Sequence, residues 1–139
     1  MAFKILMIDN DPAMIELRGQ LLKKYNFDAF LANDSEEGVR LIRGISPDVI
    51  ILDLNMPETD DWQVCKEIRS FSRVPILILS ILNSPGMVAS ALDAGADDFL
   101  VKPVPSCILI AHLNTFTRRI GLGKVNQNNL ETTMASSLV

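Results

Sequence analysis

An α/β fold built on a parallel sheet is predicted by three features of this 139-residue chain: short apolar runs, helical-period segments between them, and cap or turn residues at the junctions. The runs are residues 4–8, 27–31, 49–53, 75–80 and 98–101, and between them apolar side chains recur at spacings of three and four. Strict alternation of strand and helix requires right-handed crossovers, which leaves parallel strands covered by helices on both faces.

Each element has its own signal. The first helix opens at Asp11-Pro12, an N-cap followed by a first-turn proline, and carries the stripe Met14, Leu17 and Leu21. Asp34 with Glu37 three residues later approximates a capping box for the second helix, and Gly44 and Gly95 stand where the second and fourth should stop. The stripes of the remaining helices are Val64, Ile68 and Phe71; Val88, Ala91 and Leu92; and Leu109, Leu113 and Phe116.

Composition bounds the function. A chain of this length, 48% hydrophobic and 22% charged, fits one domain with a single core. The formal charge of -4, with Lys and Arg scattered except at Lys23-Lys24 and Arg118-Arg119, argues against direct nucleic-acid binding. Residues 74–92 are uncharged, but Pro75, Asn83, Ser84, Pro85 and Gly86 break the stretch, so it reads as strand, loop and helix, with no membrane span. The apolar start before Asp9 is too short for a signal peptide, and a cytoplasmic location is expected. Cys65 and Cys107 have no metal-ligand or redox spacing and are expected to fill helical positions as small hydrophobes. His112, the one histidine, is assigned no catalytic role.

In parallel α/β sheets the functional crevice lies at the carboxyl ends of the strands. Here those ends carry Asp9-Asn10-Asp11, Asp53, Ser80 and Lys102-Pro103. Asp53 closes the run Val49-Ile50-Ile51-Leu52, a strand apolar enough to be buried on both faces, so its carboxylate points to chemistry ahead of packing.

The segments Ile8-Asp9-Asn10-Asp11-Pro12, Asp53-Leu54-Asn55-Met56-Pro57 with Asp60-Asp61, Leu79-Ser80, and Ala94-Gly95-Ala96-Asp97-Asp98-Phe99-Leu100-Val101-Lys102-Pro103 resemble, in order, the receiver domain of bacterial two-component response regulators. The last stretch is most similar to receivers of the winged-helix (OmpR/PhoB-type) class. The resemblance implies a receiver domain over residues 1–119, strand order 2-1-3-4-5, and a signalling switch that is no enzyme beyond slow self-dephosphorylation. It implies that Asp53 accepts a phosphoryl group from a sensor histidine kinase, with Mg2+ as cofactor. The implied metal ligands are Asp9, Asp53 and the backbone carbonyl of Asn55, with Asn10 in place of the family's second acid. Lys102, on a cis peptide to Pro103, would pair with Asp53 at rest and with the phosphoryl afterwards, while the hydroxyl of Ser80 would donate to a phosphoryl oxygen. Phe99 occupies the aromatic switch position, without the hydroxyl of the tyrosine often found there. The family's output surface, formed by the fourth helix, fifth strand and fifth helix, would change on phosphorylation and could support a homodimer. Met87, Ala89, Ile108 and Ile110 are expected to leave that face apolar.

The residue types suit this chemistry. A carboxylate is a weak nucleophile toward a charged phosphoryl group, so the site must neutralise developing charge on the phosphoryl oxygens and hold attack in line. Two positions depart from the family. Asn10 has lost the charge of the second acid, and Asp11 is better explained as a helix cap than as its replacement. Asp61 stands where glycine usually follows Asp60, which reads as a loop variation.

Other readings stay open. Asn10 supports a receiver-like interaction module that works without phosphorylation. Asp9-x-Asp11 is similar to the nucleophile motif of haloacid-dehalogenase-like phosphatases, which would leave Asp53 unexplained. A flavin mononucleotide site is opposed by an acidic first loop where a phosphate needs amide donors. From Ile120 the composition turns to Asn, Gln, Ser and Thr, so residues 120–139 are expected to form a polar linker or tail.

Overall fold

The computed structural model describes residues 2–54, 61–82 and 84–124. Five strands and five helices alternate: β1 (Lys4–Asp9), α1 (Pro12–Lys24), β2 (Asp28–Ala32), α2 (Ser35–Ile45), β3 (Val49–Leu54), α3 (Asp61–Arg69), β4 (Ile76–Ser80), α4 (Pro85–Asp93), β5 (Asp98–Val101) and α5 (Ser106–Lys124). The strands form one sheet in the order β2-β1-β3-β4-β5, with every pairing parallel. The α/β class and the strand order are therefore as expected. The chain divides into two compact units, one ending at Val104 and the other beginning at Pro105.

Register is what assembles the rim. Asp9 lies opposite Asp53, Leu54 opposite Ser80, and Ser80 opposite Val101, so the ends of four neighbouring strands come out level. The three central strands are held by burial on both faces. Ile50, Ile76, Ile78 and Leu6 join Cys65, Ile68 and Ala91 in one apolar cluster, while Ile5, Met7, Ile51, Leu77 and Leu79 of the same strands are also fully buried. Removing that apolar surface from water, at roughly 25 cal/mol per Å2, is the main force holding the sheet.

The helix starts follow the predicted caps. The Asp11 carboxylate accepts from Ala13 N (3.1 Å) and Met14 N (3.4 Å) ahead of Pro12. Asp34 accepts from Glu37 N at 2.8 Å, and the Glu37 carboxylate reaches back to Asn33 N at 3.2 Å. At the end of α4, Gly95 takes φ +118, a conformation open to glycine at little cost. The second helix stops one residue beyond Gly44, and the left-handed cap is Ser46, with φ 50.

Three apolar stripes differ from expectation. In α1 the inward residues are Ile15, Gly19 and Leu22, while Met14 and Leu17 are exposed. The smallest residue selects that face: a Cβ on Gly19 would stand 3.2 Å from Leu31 Cδ1 of β2, so the helix approaches the sheet where it has no side chain. In α3 the expected Val64, Ile68 and Phe71 all pack in or against the core cluster, but the buried line is Trp62, Cys65 and Ile68. In α4 it is Met87, Ala91 and Ala94, so Leu92 faces solvent and Met87 belongs to the core cluster instead of an outer apolar patch. Cys65 is buried as expected, whereas Cys107 is exposed.

Helix α5 carries Leu109, Leu113 and Phe116 along one face and Ile108 exposed. It continues to Lys124, past position 119 where the composition changes. Residues 55–60 and 125–139, and with them Asn55, Asp60 and most of the expected tail, lie outside the described residues.

Candidate functional site

Asp53 is the centre of the rim. It is the penultimate residue of β3, buried on both sides by the sheet, and its side chain is 1% exposed. Its two carboxylate oxygens face two different cations. Lys102 Nζ donates to Oδ1, and the guanidinium of Arg18 is ion-paired with Oδ2. The lysine is delivered by β5: its backbone N–H donates to Ser80 O at 2.8 Å, and a cis peptide joins it to Pro103.

Asp9 is equally buried. Its Oδ1 accepts from Asp11 N at 2.9 Å, whereas Oδ2 accepts no hydrogen bond among the described residues and lies 3.7 Å from Arg18 Nη1. Burial raises the Asp9 pKa above the ordinary carboxylate value, against the lowering effects of the Asp11 amide and the Arg18 and Lys102 charges. Burial likewise lowers Arg18 and Lys102, and for the lysine the Arg18 charge adds to the lowering, because two cations share one pocket.

Ser80, at the end of β4, is fully buried, and its hydroxyl accepts from Leu82 N at 3.1 Å. Phe99 on β5 is partly buried and packs on the core cluster. Asp11 is spent on the α1 cap, and Asn10 is exposed. Asp9, Asp53 and Lys102 are thus brought together, with Ser80 at the same level of the sheet; Asn10 stands outside the cluster, and Asn55 lies outside the described residues.

Arg18 was not singled out by the sequence reading, although it sits on the inward face of α1. Ile15, Arg18, Gly19 and Leu22 have the spacing of a core-facing stripe, and a charge in that stripe, 14% exposed, must meet a partner in the fold.

This arrangement does not fit a divalent cation. Mg2+ takes oxygen ligands in octahedral geometry. Here Asp9 and Asp53 are the carboxylates at hand, both Asp53 oxygens already face cations, and no group of three His, Cys, Asp or Glu side chains suited to a metal occurs among the described residues.

The response regulator receiver domain model matches residues 5–114. The chain belongs to this family. It is 30% identical over 130 residues to the sensory transduction protein BceR of Halalkalibacterium halodurans, covering 94% of this chain and 56% of that protein. The response regulator MprA of Mycolicibacterium vanbaalenii is 37% identical over 120 residues, or 86% of this chain and 52% of that one. The chain spans about half the length of the curated relatives it matches. A two-component response regulator from Clostridium difficile superposes with a TM-score of 0.79 at 31% identity, covering 85% of this chain and 98% of that one.

Receiver domains as a class belong to two-component phosphorelay signalling and act as switches. Receiver domains generally bind Mg2+ at the phosphorylation site, which gives the poor fit of this pocket its interest. No helix among the described residues is long and apolar enough to cross a membrane.

Proposed function

We propose that this receiver accepts a phosphoryl group on Asp53 from a sensor histidine kinase and passes the change to an output surface. The observation that carries the reading is the buried Asp53 carboxylate at a strand end with Lys102 bound to it and Asp9 beside it. In the transfer, an Asp53 oxygen attacks the phosphorus of the phosphohistidine and forms the new P–O bond. The P–N bond breaks and the imidazole nitrogen keeps its electron pair; because the other ring nitrogen carries a proton, the leaving group is neutral histidine. Lys102 meets the charge on the phosphoryl oxygens, worth far more in a buried pocket than in water. The Ser80 hydroxyl, now accepting from Leu82 N, can turn to donate to a phosphoryl oxygen, and Phe99 follows as the switch. By the family pattern the Mg2+ ligands would be Asp9, Asp53, the Asn55 carbonyl and Asn10, but Arg18 and Lys102 already face the Asp53 oxygens, and no step above depends on the ion. Output through α4, β5 and α5, a homodimer formed there, a cytoplasmic location, slow self-dephosphorylation and a winged-helix effector or partner complete the proposal.

A second reading, an interaction module that needs no phosphorylation, is favoured by the exposed neutral Asn10 and by the two cations already on Asp53. Incubation with acetyl phosphate or a phosphorylated histidine kinase, followed by mapping of the modified residue by mass spectrometry, separates the two. The expected site is Asp53. An unmodified protein would support the second reading, and modification of Asp9 would revive the phosphatase-like one.

A further inference from the structure

Arg18 is a charge inside a stripe otherwise made of Ile15, Gly19 and Leu22. Its guanidinium lies between the two buried carboxylates of the pocket, paired with Asp53 Oδ2 and 3.7 Å from an Asp9 oxygen that accepts no hydrogen bond among the described residues. We infer that Arg18 is the resident cation of this pocket and takes the charge-neutralising place that Mg2+ has in receiver domains generally, so that a phosphoryl group on Asp53 is held without a divalent ion. The inference rests on the phosphoacceptor reading above.

Formal charge supports it. A receiver pocket with two acids in its first loop, a phosphoryl aspartate of about two negative charges, one lysine and one Mg2+ is left with about one negative charge. Here Asn10 removes one of those acids and Arg18 adds a cation, so Asp9 and the same phosphoryl group, set against Arg18 and Lys102, also leave about one. The two departures offset each other. Before phosphorylation, the buried Asp9 and Asp53 are already matched by Arg18 and Lys102, so Mg2+ entering the pocket would add two positive charges that only Asp11, whose charge reaches both cations from the α1 cap, offsets in part. Guanidinium also suits the task, since its planar fork of donors matches phosphoryl oxygens in pairs, and nothing deprotonates it near neutral pH.

The test combines Mg2+ titration by calorimetry with beryllofluoride binding followed by fluorine resonance, in Mg2+ and in EDTA, on the full chain and on Arg18→Gln and Arg18→Lys. The expected wild-type protein binds beryllofluoride equally well in EDTA. Arg18→Gln should lose the analogue in EDTA, regain it with Mg2+, and bind Mg2+ at least about tenfold more tightly. Arg18→Lys, which keeps the charge, should stay metal-independent. Wild-type binding that vanishes in EDTA, or equal Mg2+ affinity in wild type and a folded Arg18→Gln, overturns the inference. If wild type takes no analogue under either condition, the phosphoacceptor reading fails on its own, and the Mg2+ titration still decides on Arg18: tighter binding in Arg18→Gln supports the resident cation and equal binding rejects it.

Discussion

The guanidinium of Arg18 is ion-paired with the Asp53 carboxylate from a helix position that periodicity assigns to the core. Because Lys102 holds the other oxygen, one aspartate balances two cations that are 14% and 11% exposed. Asp53→Asn leaves both facing Asp9 alone. Breaking a fully buried pair costs roughly 3–5 kcal/mol; with the partial exposure of these cations, a loss on the order of 2 kcal/mol is expected. Lys102→Met, which keeps the Arg18 pair, should cost less than half as much. Urea unfolding of the three proteins checks this, and an Asp53→Asn variant as stable as wild type would mean that Arg18 and Lys102 swing to solvent when released.

Arg69 joins α3 to the loops that precede β4 and β5. Its guanidinium donates to Gly95 O (3.0 Å), Val74 O (2.6 Å) and Ser72 O (3.4 Å), and it pairs at 2.5 Å with Asp97, whose carboxylate also accepts from Ile76 N at 2.8 Å. The ion pair is partly exposed and contributes little by itself; the carbonyls are the larger stake. Arg69→Ala should cost about 1–3 kcal/mol through acceptors left without a donor. Gly95→Ala should cost a similar amount, since its φ is +118 and a Cβ there would sit 2.6 Å from Arg69 Cγ. Thermal unfolding of Arg69→Lys, which cannot reach all four acceptors, should fall between wild type and Arg69→Ala.

What the sequence made legible was whatever repeats or whatever ends an element. Five strands alternating with helices follow from apolar runs, the strand order follows only from the family resemblance, and Asp9, Asp53, Ser80 and Lys102 are visible as strand ends because a parallel sheet brings those ends level. Arg18 was illegible for a physical reason. Large apolar side chains lie on two faces of α1, Met14, Leu17 and Leu21 on one and Ile15 and Leu22 on the other, and the close approach of Gly19 to Leu31 favours the second, so that Arg18 faces inward. In α4 likewise the small Ala91 and the C-cap Ala94 are buried while the larger Leu92 is exposed. Hydrophobic size finds an amphipathic helix; close backbone approach decides its rotation.

Gly38 offers a sharper test of that idea. It is a buried residue of α2, and a Cβ placed on it would lie 2.4 Å from Ile8 Cδ1 and 2.7 Å from Ile8 Cγ1. Ile8 is 3% exposed and directly precedes Asp9, so it has little room to yield. Gly38→Ala should therefore cost about 1–3 kcal/mol by overpacking, despite the better helix propensity of alanine. Gly44→Ala, where nothing lies within 4 Å, should be neutral or stabilising by up to about 1 kcal/mol. A pair of thermal melts would settle it, and equal effects at the two positions would refute the close-approach argument.

Asp9 makes stability depend on pH in the direction opposite to an ordinary salt-bridged acid. Its pKa is raised above the ordinary carboxylate value, chiefly by burial, so the folded protein holds the proton more tightly than the unfolded chain. Between those two values the folded state binds more protons, and stability falls as pH rises through that window; above it the cost of keeping Asp9 ionised is fully present. Asp9→Asn removes that cost while its amide oxygen can still accept from Asp11 N, now at 2.9 Å, and Arg18 keeps its pairing with Asp53. The variant should be more stable than wild type near neutral pH, and the gain should shrink as the pH is lowered toward 3.8. Urea midpoints at several pH values measure the difference directly. A variant less stable than wild type at neutral pH would show that the attraction of the ionised Asp9 to Arg18 and Lys102 outweighs its burial.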